Sequence, residues 1–272
     1  MVPKSCDPAQ LLVTLESQAR SEKGPMSSEK LTILIPCLNE ERNLTATVEN
    51  AIMTARDLPM DFEIIMIDDG SRDATQDVMK RLCGEHSCCR MRVNPRNLGV
   101  GRSVMSAYDD VSDRSWVTVL PGDNEFDFRS IHNFIALRDQ YDLVLGYFQN
   151  PVIRPFRRRF ASASFGSLVK TLYGFDFRYL NGMKLYKVEV FREIEIESAN
   201  YAYTAELIAK AILRNPALRV GEAPFVATGR AHGSSNAFRP RAVATAAYEV
   251  LRGQRSVAAY RKQVIRREES ED

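Results

Sequence analysis

The chain has few cysteines, few histidines and no long apolar run, and each shortage closes a class of function. Its 272 residues include five cysteines: Cys6, Cys37, Cys83, Cys88 and Cys89. The number is odd, no CxxC pair occurs, and Cys88 adjoins Cys89. That suits neither a disulfide framework nor a thiol–zinc site and fits a reducing, cytoplasmic setting. The histidines His86, His132 and His232 stand at no zinc-ligand spacing. No apolar run reaches the ~18 residues of a membrane span, and Met1 to Gln10 lack the apolar centre of a secretory leader. Any membrane contact is therefore expected at the surface. The net charge is only +2, so no nucleic-acid partner is expected. Phosphate-loop (GxxxxGK[ST]) and nucleophile-elbow (GxSxG) motifs are both missing. Gly99-Val100-Gly101 begins a GxG, but Val104 fills the third glycine position and the first strand lacks a glycine turn. A dinucleotide site fails on that context.

What remains is an ordinary globular composition, 44% hydrophobic and 26% charged, long enough to bury a substantial core. The apolar runs Leu31–Pro36, Phe62–Ile67, Met91–Val93, Trp116–Leu120 and Tyr141–Gly146 read as buried strands. Between them, helices are expected over Glu40–Arg56 with Asn39 as cap, Ala74–Leu82 after Asp73, Gly101–Asp110 and Ile131–Asp139. Continuous apolar strands alternating with helices predict an α/β fold, a mostly parallel Rossmann-like sheet with helices on both faces. Further on, an amphipathic helix is expected over Phe160–Tyr173, a strand over Met183–Tyr186 and a helix over Tyr203–Leu213. Two short strands, Leu218–Ala223 and Phe225–Thr228, precede a basic helix over Arg241–Arg267. Residues 1–29 read as a mobile appendage, and no internal repeat is present.

Polar residues follow three of the strands. They are Pro36-Cys-Leu-Asn-Glu40, Asp68-Asp-Gly-Ser71, and Pro121-Gly-Asp123-Asn-Glu125. In a parallel sheet these ends share one edge, the edge at which α/β folds bind ligands. Asp123 and Glu125, one residue apart in extended chain, can point the same way. Hard divalent cations take such oxygens together with substrate phosphates. An acidic surface turn is the plain alternative for any one of these loops, but not for three at one edge.

Leu31-Thr-Ile-Leu-Ile-Pro-Cys-Leu-Asn-Glu-Glu41, Ile64-Ile-Met-Ile-Asp-Asp-Gly-Ser-Arg-Asp-Ala-Thr75 and Asn97-Leu-Gly-Val-Gly101 together resemble the nucleotide-sugar half of the family 2 glycosyltransferases. These are inverting enzymes of the GT-A fold, and the likeness covers roughly 31–147. The second half resembles the polyprenyl-phosphate branch, which includes dolichyl-phosphate mannose synthase. The carriers are an arginine-rich segment at Arg154–Phe160, Asn181-Gly-Met-Lys-Leu-Tyr186, Ala205-Glu-Leu-Ile-Ala209 and the loop Arg230–Asn236. The resemblance implies a GT-A catalytic domain over 30–238, divided into a nucleotide-sugar half (30–147) and an acceptor half (148–238). A basic helical tail, 239–272, follows it.

The same resemblance assigns Pro36, Leu38, Glu40, Asp68, Asp69, Asn97, Asp123 and Arg230 to the nucleotide-sugar, and, more weakly, Arg96. Asp123 and Glu125 would hold Mg²⁺ or Mn²⁺; relatives often carry an acid where this chain has Pro121. Catalytic roles fall to Asp123, Glu206 and Arg230, and the acceptor phosphate to Arg154, Arg158 and Asn181. The implied partners are a UDP- or GDP-hexose and a polyprenyl phosphate at the cytosolic face of a membrane. A phosphate monoester is largely dianionic at neutral pH and attacks without a base. A hydroxyl acceptor would need a carboxylate, for which Asp127, Asp176 and Glu206 are available, Glu206 being equally readable as a structural acid. A soluble transferase acting on a hydroxyl and an inactive nucleotide-sugar-binding module remain as alternatives.

Overall fold

The computed structural model describes residues 29–150, 166–200, 202–228 and 240–271. What the sequence predicts for residues 1–28, for Arg154, Arg158 and Arg230, and for the start of the Phe160–Tyr173 helix lies outside them.

The first half alternates strand and helix. β1 (Lys30–Cys37), α1 (Leu44–Arg56), β2 (Asp61–Asp68), α2 (Thr75–Glu85), β3 (Cys89–Val93), α3 (Val100–Ser106) and β4 (Ser115–Val119) follow in order. α4 (Ile131–Ile135) and β5 (Leu143–Phe148) come next, and residues 166–173 are helical. The remainder is β6 (Lys184–Lys187), α5 (Val188–Phe191), α6 (Tyr203–Arg214), β7 (Val220–Phe225) and the long α7 (Pro240–Glu271). The seven strands form one sheet in the order β3-β2-β1-β4-β6-β5-β7. Only β6 runs against the others, antiparallel to both β4 and β5.

The expected mostly parallel sheet follows from side-chain alternation with both faces covered. Leu31, Ile33 and Ile35 of β1 pack with Leu44 and Val48 of α1, Met79 and Leu82 of α2, and Phe134 of α4. Leu34, Ile65 and Val117 point to the opposite face, against Val104 of α3, Val188 of α5, Leu207 of α6 and Val250 of α7. A strand buried on both sides needs apolar residues at every position, which is why the strands read as unbroken runs.

Two local expectations change. Asn39 does not cap α1, because it takes a left-handed backbone (φ 58°) and its Oδ1 accepts from Arg72 N at 2.8 Å. Helix α1 starts four residues later, behind Asn43. The two strands expected after Leu218 are one, β7, which passes through Pro224. β7 is an edge strand, where a missing N–H is tolerated.

Candidate active site

The parallel register brings the polar strand ends to one edge and backbone hydrogen bonds stitch them together. Cys37 pairs with Asp68 across β1 and β2. Beyond the strands, Asp69 N donates to Cys37 O (2.9 Å), Leu120 N to Leu34 O (2.9 Å) and Gly122 N to Pro36 O (3.2 Å). Gly122 is required by this approach, since a Cβ there would lie 2.7 Å from the Cys37 sulfur. Thr47 Oγ1 of α1 donates to Gly122 O at 3.1 Å, fixing the loop that carries Asp123.

The acids converge on the end of β1. Burial pushes the Cys37 thiol well above its ordinary range, and the charges of Glu40, Asp68, Asp123 and Asp73 push it further. Carboxylates from three separate loops thus act on one buried sulfur. Their roles differ. Asp68 is fully buried, with Oδ1 accepting from Ser71 N (3.1 Å) and Oδ2 from Gln76 Nε2 (2.7 Å). Asp69 is buried and takes three donors: Leu98 N (2.8 Å) and Asn94 Nδ2 (3.2 Å) at Oδ1, and Gly99 N (3.0 Å) at Oδ2. It therefore holds the 97–99 loop against the strand ends. Gly70 (φ 76°) allows this, because a Cβ there would lie 2.7 Å from Asn97 N. Glu40 is buried, accepts from Asn43 Nδ2 at 2.7 Å, and its N–H donates to Thr75 Oγ1. Pro36 is buried within β1, whereas Leu38 and Asn97 are exposed at the edge.

Asp123 and Glu125 are half-buried, with Glu125 N donating to Asp123 Oδ1 at 3.1 Å. Their loop is anchored on the far side by Thr228, whose N–H donates to Glu125 O (3.0 Å) and whose hydroxyl donates to Asn124 O (3.1 Å). Among the described residues no three His, Cys, Asp or Glu side chains gather as a ready-made metal site. Asn124 between Asp123 and Glu125 takes a left-handed backbone (φ 55°), so the two acids stand on a turn and not on the extended chain expected. Carboxylate oxygens of this kind suit a Mg²⁺-like ion, which keeps waters and substrate phosphates in its shell.

Because β6 is antiparallel, the residues before it lie at this same edge. Thr118 pairs with Leu185, so Asn181 and Gly182 stand beside the β4 end that delivers Asp123. Asn150 and Thr228 are the last described residues before the segments bearing Arg154, Arg158 and Arg230. Both are at this edge, where Asn150 exchanges side-chain hydrogen bonds of 3.0 and 3.1 Å with the Ala227 backbone.

Glu206 is not brought to the site. It is fully buried on α6 and accepts from Glu197 N (3.0 Å), Ser198 N (2.9 Å) and Lys210 Nζ (2.9 Å). Burial raises its carboxyl, but the Glu197 N–H, Lys210 and the Ser198 N–H outweigh that and hold it below the usual range. Its described contacts are those of a structural acid. Asp127 is bound by Arg129 (2.6 Å), which lowers its carboxyl, and Asp176 is exposed beside Lys170 (3.2 Å). Asp127 thus lacks the raised pKa of a general base.

Sequence reasoning missed Gln76, Asn94 and Lys184. Lys184 alone left a signal, a single charge between apolar residues in Met183-Lys-Leu-Tyr186.

A family model described as "Glycosyl transferase family 2" matches residues 32–195. The dodecaprenyl-phosphate galacturonate synthase of Rhizobium johnstonii is 24% identical over 220 residues, 79% of this chain and 64% of that protein. The undecaprenyl-phosphate 4-deoxy-4-formamido-L-arabinose transferase of Serratia proteamaculans is 29% identical over 92 residues, 34% of this chain and 28% of that protein. The chain thus spans less than two thirds of either relative. A structure of glucosyl-3-phosphoglycerate synthase from Mycobacterium tuberculosis, in complex with Mn²⁺, UDP and phosphoglyceric acid, superimposes with a TM-score of 0.63. The superposition covers 85% of this chain and 78% of that one at 17% identity, a likeness of fold. The α/β fold expected from the sequence, GT-A, is the fold of the chain.

Proposed function

The chain belongs to glycosyl transferase family 2, and on that premise we propose that it transfers a hexose from a UDP- or GDP-sugar to a polyprenyl phosphate, inverting the anomeric centre. The observation that carries this reading is the gathering of Glu40, Asp68, Asp69 and Asp123 at the carboxyl edge of β1, β2 and β4. An edge so acidic repels a diphosphate unless a cation joins them. Asp123 and Glu125 would hold Mg²⁺ or Mn²⁺ there, and a bound ion would neutralise the departing diphosphate as a Lewis acid. Pro36, Leu38, Glu40 and Asp68 shape the nucleotide cradle. Asp69 orders the loop of Asn97 by its three accepted hydrogen bonds. Arg230 is the proposed side-chain contact to the diphosphate oxygens.

The described acids favour a phosphate acceptor. A hydroxyl acceptor needs a positioned base, and Glu206 is buried and fully engaged, Asp127 is held ionised by Arg129, and Asp176 is exposed. A phosphate dianion needs none. Asn181, with Arg154 and Arg158, is the proposed seat of that phosphate; the names of the polyprenyl-phosphate relatives support the class of acceptor alone. Among the described residues no helix is long and apolar enough to cross a membrane. Work on a lipid-borne acceptor is proposed at the cytosolic membrane surface.

Incubation with labelled UDP- and GDP-hexoses and Mn²⁺, with either polyprenyl phosphate or water-soluble acceptors, tests the reading. Label should enter the organic phase only when polyprenyl phosphate is present. Transfer to soluble hydroxyls alone would establish the soluble transferase instead, and donor binding without turnover would establish the inactive module.

A further inference from the structure

Lys184 opens β6 and is 5% exposed. Its ammonium makes one hydrogen bond, to Gly182 O at 3.0 Å, and lies over the Tyr203 ring at 6.0 Å. No carboxylate faces it among the described residues, and burial alone lowers its pKa, to about 8. An ammonium has three donors, and here only one has a described acceptor. Holding such a group away from water is costly unless something anionic meets it. It is one of two lysines among the buried residues, and the other, Lys210, has Glu206 as partner at 2.9 Å.

Its direction is set by the sheet. Lys184 pairs with Leu145, and its neighbour Tyr186 shares the face that bears α3 and α6. By bonding back to Gly182, the ammonium leans toward the carboxyl edge where Asn181, Asp123 and Glu125 stand. Tyr203 beneath it packs at the start of α3, where a Cβ on Gly101 would lie 2.6 Å from Tyr203 Cβ. Through Tyr203 the ammonium is set toward α3, the helix that follows the Asp69-held loop. Pro121, on the β4 end of the same face, is neutral and cannot pair with it.

We propose that Lys184 is a phosphate-binding residue of this site, its buried ammonium meeting a phosphate oxygen where the carboxyl end of β4 meets Asn181-Gly182. The assignment rests on the transferase reading above. The phosphate is that of the nucleoside diphosphate or that of the acceptor monoester, and the chemistry of recognition is the same for both.

Titration calorimetry with UDP, GDP, inorganic pyrophosphate and farnesyl phosphate, on wild type, Lys184→Met and Lys184→Arg, tests it. Lys184→Met should weaken at least one of these probes by tenfold or more, while Lys184→Arg stays within about threefold of wild type. A loss on the diphosphates assigns the donor, and a loss on farnesyl phosphate assigns the acceptor. Wild-type affinity for that probe should fall between pH 7 and pH 9.5, and Lys184→Arg should flatten the fall, since arginine keeps its charge. Lys184→Met should melt no lower than wild type, because it removes an uncompensated buried charge. Unchanged affinities in Lys184→Met, a flat wild-type pH profile, or a lowered melting temperature marking Lys184 as a strut for Gly182 would each overturn this proposal alone. A wild type that binds none of the probes would overturn the transferase reading with it.

Discussion

The acids at the strand ends divide by depth. Asp68 and Asp69 are buried acceptors whose oxygens are filled by the protein's own donors, whereas Asp123 and Glu125 are half-buried at the edge. Substitution should separate the groups. Asp123→Ala removes a proposed metal ligand and so several kcal/mol of charge stabilisation, on the order of a 10³-fold loss of kcat in Mn²⁺-dependent transfer assays, with the fold intact by circular dichroism. Asp69→Asn keeps one oxygen acceptor and turns its amide N–H₂ either on Gly99 N or on the Leu98 N and Asn94 Nδ2 donors. It should instead raise the donor KM by about tenfold, the effect of a ~1–3 kcal/mol mismatch. The same acids govern Cys37. Its thiol is buried and pushed far from ionising by burial and by Glu40, Asp68, Asp123 and Asp73. At pH 8, iodoacetamide should therefore modify the half-buried Cys83 and Cys88 while sparing Cys37, as read by peptide mass spectrometry.

Among elements, α6 and α7 are joined by a buried polar network that the sequence did not reveal. Lys210 Nζ donates to Glu206 Oε1 (2.9 Å), to Glu195 O (2.8 Å) and to Ser256 Oγ of α7 (2.7 Å). Glu249 of α7 accepts from Asn200 N (3.1 Å) and Asn200 Nδ2 (2.7 Å), beside Ala199 O, which accepts from Gly101 N (2.7 Å). Removing one partner of a buried pair strands the other, so Glu206→Ala should cost about 3–5 kcal/mol in urea unfolding. Glu206 has a folded pKa below its unfolded value of ~4.3. Its stabilisation is therefore present above that value and is lost as pH falls through the folded pKa. Wild type should lose stability toward acid over that range, and Glu206→Ala should lose correspondingly less. The elements themselves were largely legible, because β1, β2 and β4 are unbroken apolar runs and α6 keeps helical periodicity. Where the reading slipped, long-range contact overrode local preference. Asn39, a good cap by type, is instead drawn to Arg72 and Ser71 across the edge, and the edge position of β7 lets it run through Pro224. Glu206 sits in a motif shared with transferases, yet its partners come from Glu197, Ser198 and Lys210, a closure that spacing alone does not disclose.

At the scale of the whole molecule, the convergence of three strand ends was readable because parallel strands force it. The depth of Lys184 was not, since burial depends on which helix covers which face. The same holds for α7. The sequence shows a basic helix, but only the fold shows which side is turned inward. Val250 and Gly253 are buried against the second core, and Glu249 is tied to Asn200. The outer side carries Tyr248 (64% exposed), Leu251 (51%) and Ile265 (46%) among the exposed Arg255, Arg261, Lys262 and Arg266. Arg252, also exposed, is engaged with Glu197. Large apolar side chains interleaved with arginine and lysine match a helix that lies on an anionic bilayer. Each basic residue near such a surface contributes about 1 kcal/mol, so Arg255→Glu/Arg261→Glu/Lys262→Glu should weaken binding to phosphatidylglycerol vesicles by two orders of magnitude or more. Co-sedimentation at low salt reads this directly, and binding of the wild type should itself fall as salt is raised. Donor binding should be unchanged in that triple variant, because all three residues lie beyond Gly253 on α7, whose neighbours are Tyr173, Ser198 and Glu206 and not the acidic edge. Transfer to short water-dispersed polyprenyl phosphate should persist, and transfer to the same acceptor embedded in vesicles should drop. Equal vesicle binding by variant and wild type would instead make the outer side of α7 a solvated surface and leave the acceptor's approach to other elements.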